Sequence, residues 1–143
     1  MNKIILVTVL LFTSFIGYAQ NSLSVLYAPT DQRVGLRYDH ISKVGMYASA
    51  SYGNYKFDDF YVNDHKKVAA GVMFSSPDRI DQYASFSLGV SYHDYGANNI
   101  QKQRALDPLS FEIGAGAVIN KFTAGFTFDP NKWEGEIFFG IRL

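Results

Sequence analysis

The chain has 143 residues, no cysteine, and 13 basic against 13 acidic residues. This length predicts one domain. Aromatic residues make up 16% and charged residues only 18%, which excludes a disordered chain. The absence of cysteine excludes a disulfide scaffold and a thiolate metal site. A neutral chain without a basic stripe gives no reason to expect a nucleic-acid partner.

Residues 1–19 have the pattern of a secretory signal peptide. Lys3 supplies the positive start, residues 4–16 form the apolar stretch, and Gly17 and Ala19 are small residues where a signal peptidase reads the chain. The apolar stretch of about 13 residues is shorter than the roughly 20 that a membrane-spanning helix needs. We therefore predict cleavage before Gln20 and an exported domain over residues 20–143.

After Gln20 the chain alternates between apolar and polar residues with period two, which is typical of strands with two different faces. In the last segment Ile137, Phe139 and Ile141 share one face, while Glu134 and Glu136 lie on the other. The pattern predicts eight strands, at residues 23–27, 34–39, 45–53, 67–75, 84–93, 110–119, 122–129 and 133–143.

The predicted connections alternate in length. Residues 42–43, 76–82 and 120–121 are short or turn-like, whereas the other four are Pro29–Gln32, Asp58–Lys66, Asp94–Pro108 and Asp129–Lys132. Hairpins joined in sequence form an up-and-down meander, and eight strands can close into a barrel. The longer connections then share one end, as in outer-membrane barrels.

The two faces indicate which side of the barrel meets lipid. The polar face is mostly Gly and Ser with a few charges, Lys67 among them, which suits the narrow packed interior of eight strands. The other face carries no charge on the predicted strands, as lipid requires, since a charge at the midplane costs about 2–4 kcal/mol. Aromatic residues at its outer rim predict an interfacial belt, formed by Tyr27, Tyr52, Tyr92, Phe128 and Trp133. We predict an all-β, eight-stranded antiparallel transmembrane β-barrel.

In this alternation over residues 21–143 the sequence resembles the small eight-stranded outer-membrane barrel proteins, such as outer-membrane protein X and the barrel of outer-membrane protein A. The resemblance implies assembly by the outer-membrane barrel-assembly machinery, which reads a final alternating strand that usually ends in Phe. Phe139 and Ile141 keep the alternation here, but the terminal residue is Leu143.

Two other classes of protein stay open at this point. A soluble, secreted or periplasmic lipocalin-like barrel would turn its apolar face inward and bind a small apolar ligand, with Phe111, Ile113, Phe126 and Ile137 lining the cavity. An outer-leaflet lipid hydrolase would bring a serine, a histidine and an acid together. Ser91, His93 and Asp94 are the candidates for that arrangement.

Inward-facing charges predict a network of ion pairs, since buried charges need partners. Its predicted members are Arg37, Asp39, Glu112, Glu134, Glu136 and Arg142. The connection Asp58–His65 holds three acids and a histidine, which allows weak Ca²⁺ or Mg²⁺ binding. It lacks the ligand spacing of an EF-hand, so we predict no metal, no cofactor and no catalytic residue.

The predicted function is non-catalytic and depends on the loops, because loops on rigid scaffolds carry recognition more often than the scaffold does. Phe60 and Tyr61 are candidate contacts for a surface partner. Lys102 and Arg104 could meet the phosphates of the outer leaflet. The expected surroundings are outer-membrane lipid.

Overall fold

The computed structural model describes residues 20–29, 32–57, 60–79, 82–96 and 107–143; for residues 54–57, 60–63 and 77–79 it describes the backbone. Within the part of the chain described, no helix is long and apolar enough to cross a membrane. The eight strands are β1 (Gln20–Ala28), β2 (Arg33–Ile41), β3 (Val44–Phe57), β4 (Phe60–Arg79), β5 (Gln82–Asp94), β6 (Leu109–Ile119), β7 (Phe122–Asp129) and β8 (Glu134–Arg142).

Each strand pairs antiparallel with the next, and β1 pairs with β8 to close the barrel. In the closing register Leu23 lies opposite Ile141 and Tyr27 lies opposite Ile137. The predicted fold class, a closed antiparallel meander of eight strands, is therefore confirmed. Closure leaves no free sheet edge around the barrel wall.

The central hairpin is longer than predicted. Asp58–Lys66 was expected to be a loop, but β4 begins at Phe60 and residues 58–59 alone join it to β3. The register shifts between Gly53 and Tyr55, yet pairing continues to Phe57 opposite Phe60. Such an irregularity breaks the period of two without ending the ladder, which is why alternation placed the strand ends too early.

Two further strand limits also differ from the prediction. The β4–β5 connection was expected at residues 76–82, but pairing resumes after a register shift, with Arg79 opposite Gln82. Trp133 was placed in the last strand, whereas β8 begins at Glu134. Trp133 lies in the preceding turn with φ 53°.

The connections divide the barrel into two ends. At the end we call the loop end, strands are joined by residues 29–32, 58–59, 95–108 and 130–133. At the turn end, they are joined by residues 42–43, 80–81 and 120–121, and β1 begins and β8 finishes there. Three of the four loop-end connections are longer than the two-residue turns at the other end, as predicted, whereas the β3–β4 connection is as short as those turns.

Large apolar side chains cover the outside of all eight strands. Phe111 is 48% exposed, Ile113 36%, Phe126 52% and Ile137 55%. The soluble alternative is therefore wrong, because the four side chains expected to line its cavity point away from the interior. A water-soluble monomer rarely exposes a continuous apolar surface of this kind.

Polar side chains fill the inside, together with small residues that make room for large ones. Gly71 and Gly89 face the ring of Tyr47, and a β-carbon on Gly89 would collide with its hydroxyl. Near the turn end the interior becomes apolar, where Ile41, Met73 and Val118 pack together with the partly buried Tyr83. Eight strands leave space only for side chains in such a barrel.

Candidate functional site

The structure places five of the six residues of the predicted charge network inside the barrel. Arg37, Asp39, Glu112, Glu134 and Glu136 are each at most 3% exposed. Arg142 is half-buried and lies at the turn end, the opposite end of β8 from Glu134. There its Nη1 donates to Gln20 Oε1 over 3.0 Å.

The layer nearest the turn end is centred on Arg37. Its Nε donates to Asp39 Oδ1 over 2.7 Å, and Ser22 Oγ donates to the other carboxylate oxygen over 3.1 Å. The guanidinium carbon lies 4.1 Å from the ring centre of Tyr47 and 4.2 Å from that of Phe138. Two rings and one carboxylate thus surround this cation, and the stacking adds cation–π attraction.

The middle layer joins two cations to three carboxylates. Lys67 Nζ lies 2.8 Å from Glu112 Oε2 and 3.0 Å from Glu136 Oε2. Arg33 Nη2 lies 2.8 Å from Glu136 Oε1 and 3.1 Å from Glu134 Oε2. Glu136 therefore bridges the two cations, as buried charges require partners on every side.

Tyr47 contributes the hydroxyl that completes the binding of Glu112, with Oη donating to Oε1 over 2.7 Å. Tyr47→Phe should lower the free energy of unfolding by about 1.5–3 kcal/mol, the usual worth of a hydrogen bond to a charged group. Urea unfolding of the barrel in detergent measures this loss. Tyr38→Phe, on the outside with 43% of its side chain exposed, is the matched control. Equal stability of the two variants would contradict this role of the hydroxyl.

The loop end holds two histidines side by side on β4 and β5. Arg33 Nη1 lies 2.8 Å from His65 Nδ1, and His65 Nε2 lies 2.9 Å from His93 Nδ1. Arginine only donates, so His65 Nδ1 accepts and His65 Nε2 carries the proton that it donates to His93. One guanidinium thereby fixes the tautomers of both rings, and His93 carries its proton on Nε2.

The Nε2 proton of His93 faces a serine and an acid. His93 Nε2 lies 3.1 Å from Ser91 Oγ and 3.5 Å from Asp129 Oδ2. Ser110 Oγ donates to Asp129 Oδ1 over 2.6 Å. The ring of Tyr95, which has no exposed surface, stacks on His65 with centres 4.6 Å apart. The loop end of the interior is thus closed by stacked rings.

This geometry is not the hydrolase arrangement considered from the sequence. Asp94 Oδ1 accepts from the backbone N of Gly96, and Asp129 takes the place beside His93 instead. Ser91 and Asp129 both approach Nε2, whereas a catalytic triad needs the acid on one imidazole nitrogen and the nucleophile on the other. Ser91 is also 2% exposed, so a lipid substrate does not reach it in this arrangement.

The predicted charge network did not include five members of the site: Arg33, His65, Lys67, Asp129 and Tyr95. Lys67 and Asp129 lie on the polar face of predicted strands, and extending the alternation beyond the predicted strand ends would have added Arg33 and His65. His65 was assigned to a loop, but β4 continues through it and its side chain is fully buried. Tyr95 lies past the end of β5, where alternation gives no signal.

Of the acidic segment considered for weak Ca²⁺ or Mg²⁺ binding, the structure describes Asp64 and His65 on opposite faces of β4. Asp64 is exposed and His65 is buried, because neighbouring residues of a strand point to opposite faces. Asp58 and Asp59 lie outside the described residues. The candidate contacts Lys102 and Arg104 also lie outside them, as do the side chains of Phe60 and Tyr61 in β4.

The predicted aromatic belt lies on the outer surface near the loop end. Tyr27 is 43% exposed, Tyr52 56%, Tyr92 51% and Trp133 81%. The half-buried Phe128 meets Trp133 edge to face at 5.8 Å between ring centres. The outward-facing charges among the described strand side chains are Asp64 and Lys66 on β4 and Asp94 on β5. They lie at or beyond the level of Tyr52, since Lys66 pairs with Tyr52 on one side and with Asp94 on the other.

No protein-family model matches this sequence, and no curated protein matches it. In structure the chain is similar to the Yersinia pestis outer membrane protein Ail, whose backbone structure was determined in a phospholipid bilayer nanodisc. The TM-score is 0.54 at 19% identity, over 87% of this chain and 99% of Ail. The chain has the fold of the small eight-stranded outer-membrane barrels. Its apolar outside and charged inside match the needs of such a barrel in lipid.

Proposed function

We propose that the protein is an integral outer-membrane barrel of a Gram-negative cell and acts at the cell surface without catalysis. In this proposal the barrel is a rigid support, and the segments at its loop end make the contacts. The β3–β4 hairpin is the observation that carries the proposal. An export signal over residues 1–19 would bring the chain to that membrane.

The hairpin extends further than its neighbours on both sides. β2 pairs with β3 up to Val34 opposite Tyr52, and β5 pairs with β4 up to Lys66 opposite Asp94. β3 and β4 nevertheless stay paired with each other to Phe57 opposite Phe60. A two-stranded arm thus extends beyond the barrel rim, and among the described residues no third strand pairs with it there. Unpaired strand edges suit contact with another molecule.

The interior supports a role at the surface rather than transport through the barrel. Arg33, Lys67 and Glu136 cross the middle of the barrel with nitrogen–oxygen distances of 2.8–3.0 Å. Separating these ion pairs would leave buried charges without partners, at a cost of several kcal/mol. We therefore infer that the barrel stays closed.

The membrane location predicts a specific behaviour on gels. The protein should appear in the washed membrane fraction and migrate differently before and after boiling in detergent, because a closed barrel resists unfolding until heated. Gel mobility of boiled and unboiled membrane samples measures this difference. Protein found only in the soluble fraction, with one mobility, would contradict the proposal.

The orientation can be tested with single cysteines, since the native chain has none. Asn131 at the loop end and Lys121 at the turn end are both exposed. In intact Gram-negative cells a membrane-impermeant maleimide should label Asn131→Cys. The matched variant Lys121→Cys should react only after the outer membrane is permeabilised. The reverse pattern would place the hairpin in the periplasm and overturn a surface role.

A further inference from the structure

We propose that the loop end of the interior binds one divalent transition-metal ion through His65, His93 and Glu134. The three side chains are buried and converge from β4, β5 and β8, with one potential ligand atom from each lying within 4.8 Å of the others. Neutral imidazole and carboxylate are ligands that Zn²⁺ accepts in proteins, and three of them leave one position open.

The charge of the interior gives an independent reason to expect a cation. The buried cations among the described residues are Arg33, Arg37 and Lys67, against five buried carboxylates: Asp39, Glu112, Asp129, Glu134 and Glu136. Both histidines are neutral in the hydrogen-bonded arrangement derived above. An excess of two negative charges in a low-dielectric interior is costly, and one divalent ion balances it.

The excess is located beside the histidines. Arg37 and Asp39 pair with each other toward the turn end. The layers that remain hold Arg33 and Lys67 with four of the carboxylates, and Asp129 lies 3.5 Å from His93. A cation bound between His65 Nε2 and His93 Nδ1 therefore lies beside Asp129 and Glu134, while Arg33 contacts the other ring nitrogen of His65.

The ligand geometry requires only a small adjustment. Donors bound at about 2.1 Å to one tetrahedral ion lie roughly 3.4 Å apart. His65 Nε2 and His93 Nδ1 are 2.9 Å apart, so the imidazoles separate by roughly 0.5 Å to admit the ion. Imidazole ligands favour Zn²⁺, Ni²⁺ and Cu²⁺ over Mg²⁺ and Ca²⁺.

In the metal-free barrel, Arg33 donates hydrogen bonds to two of the three proposed ligand residues. Its Nη1 donates to His65 Nδ1 and its Nη2 donates to Glu134 Oε2. When His65 Nε2 binds the ion, the ring proton moves to Nδ1, and the guanidinium releases that nitrogen. Arg33 then keeps Glu136 at 2.8 Å and Ser51 at 3.3 Å as partners.

The test is a Zn²⁺ titration of the untagged chain from Gln20 onward, folded in detergent, with bound metal counted after buffer exchange. We expect one bound Zn²⁺ per barrel, no binding of Mg²⁺, and a raised unfolding temperature with Zn²⁺, since an ion that binds only the folded state stabilises it. His65→Asn and His93→Asn should bind at least about tenfold more weakly. His40→Asn is the matched control, because His40 lies near the turn end of β2 and bonds Asn21.

Cu²⁺ electron paramagnetic resonance on the native sequence keeps the test valid if a variant does not fold. The spectrum should show hyperfine coupling to two imidazole nitrogens. Absence of binding in the folded native barrel would overturn the proposal. Equal binding by the His65, His93 and His40 variants would also overturn it, because it would show an adventitious ion only.

Discussion

Lys67→Met should lower the free energy of unfolding of the barrel by about 3–5 kcal/mol, the cost of removing one partner from a buried ion pair. Lys67 lies between Glu112 and Glu136, at 2.8 and 3.0 Å. Its loss leaves two buried carboxylates facing each other, in an interior that already holds more acids than cations. Reversible urea unfolding in lipid vesicles measures the change.

Two further variants test whether the loss of stability comes from the missing charge of Lys67. Lys121→Met removes a lysine from the exposed β6–β7 turn and should change stability by less than about 0.5 kcal/mol. The double variant Lys67→Met with Glu112→Gln removes the cation and one of its acids together, and it should recover part of the loss. A double variant less stable than Lys67→Met alone would show that repulsion between the carboxylates is not the cause.

Leu88→Arg on the outer face should prevent insertion or lower the stability of the inserted barrel by about 2–4 kcal/mol, the cost of arginine at the membrane midplane. Leu88 is the central residue of β5, is 43% exposed, and pairs with Val72 and Ile113. The amount of membrane protein that shows the heat-dependent gel shift measures insertion. Unfolding in vesicles measures the stability of the inserted barrel.

The matched substitution is Ile119→Arg, on the same face but at the last position of β6 and 57% exposed. Near the interface the cost of arginine falls to about 0–1 kcal/mol. The difference between the two variants therefore measures depth in lipid. Equal effects would indicate that the apolar outside does not lie in a membrane, since water has no such gradient.

Alternation along the chain was sufficient to predict the closed meander and the direction of its faces. On an eight-stranded barrel every strand has one side toward the interior, so a residue such as Phe126 or Ile137 is placed by parity alone. Strand ends were less well predicted. At Gly53 the register shift interrupts the period, and parity could not follow β4 back to Phe60.

The interior site depended on information that parity does not contain. Parity places Glu136 inside, but it does not show that Arg33 and Lys67 lie at the same height on other strands. That height is set by the tilt and stagger of the closed sheet. Arg33 and Asp129 stand at strand ends, and His65 pairs opposite Gly53, where the register of β3 and β4 shifts. The pattern is weakest at such positions, and so the histidine pair could be seen only in the structure.

Glu136 also has a consequence for how the chain reaches its native state. It lies on β8, the last strand, and its partners lie on strands translated much earlier: Arg33 is 103 residues away and Lys67 is 69 residues away. A chain that still lacks β8 holds neither Glu136 nor Glu134 for Arg33. Closing the wall and giving Arg33 its carboxylate partners are therefore one event, so a half-assembled barrel has little stability of its own, and the C-terminal strand determines when the whole molecule becomes stable.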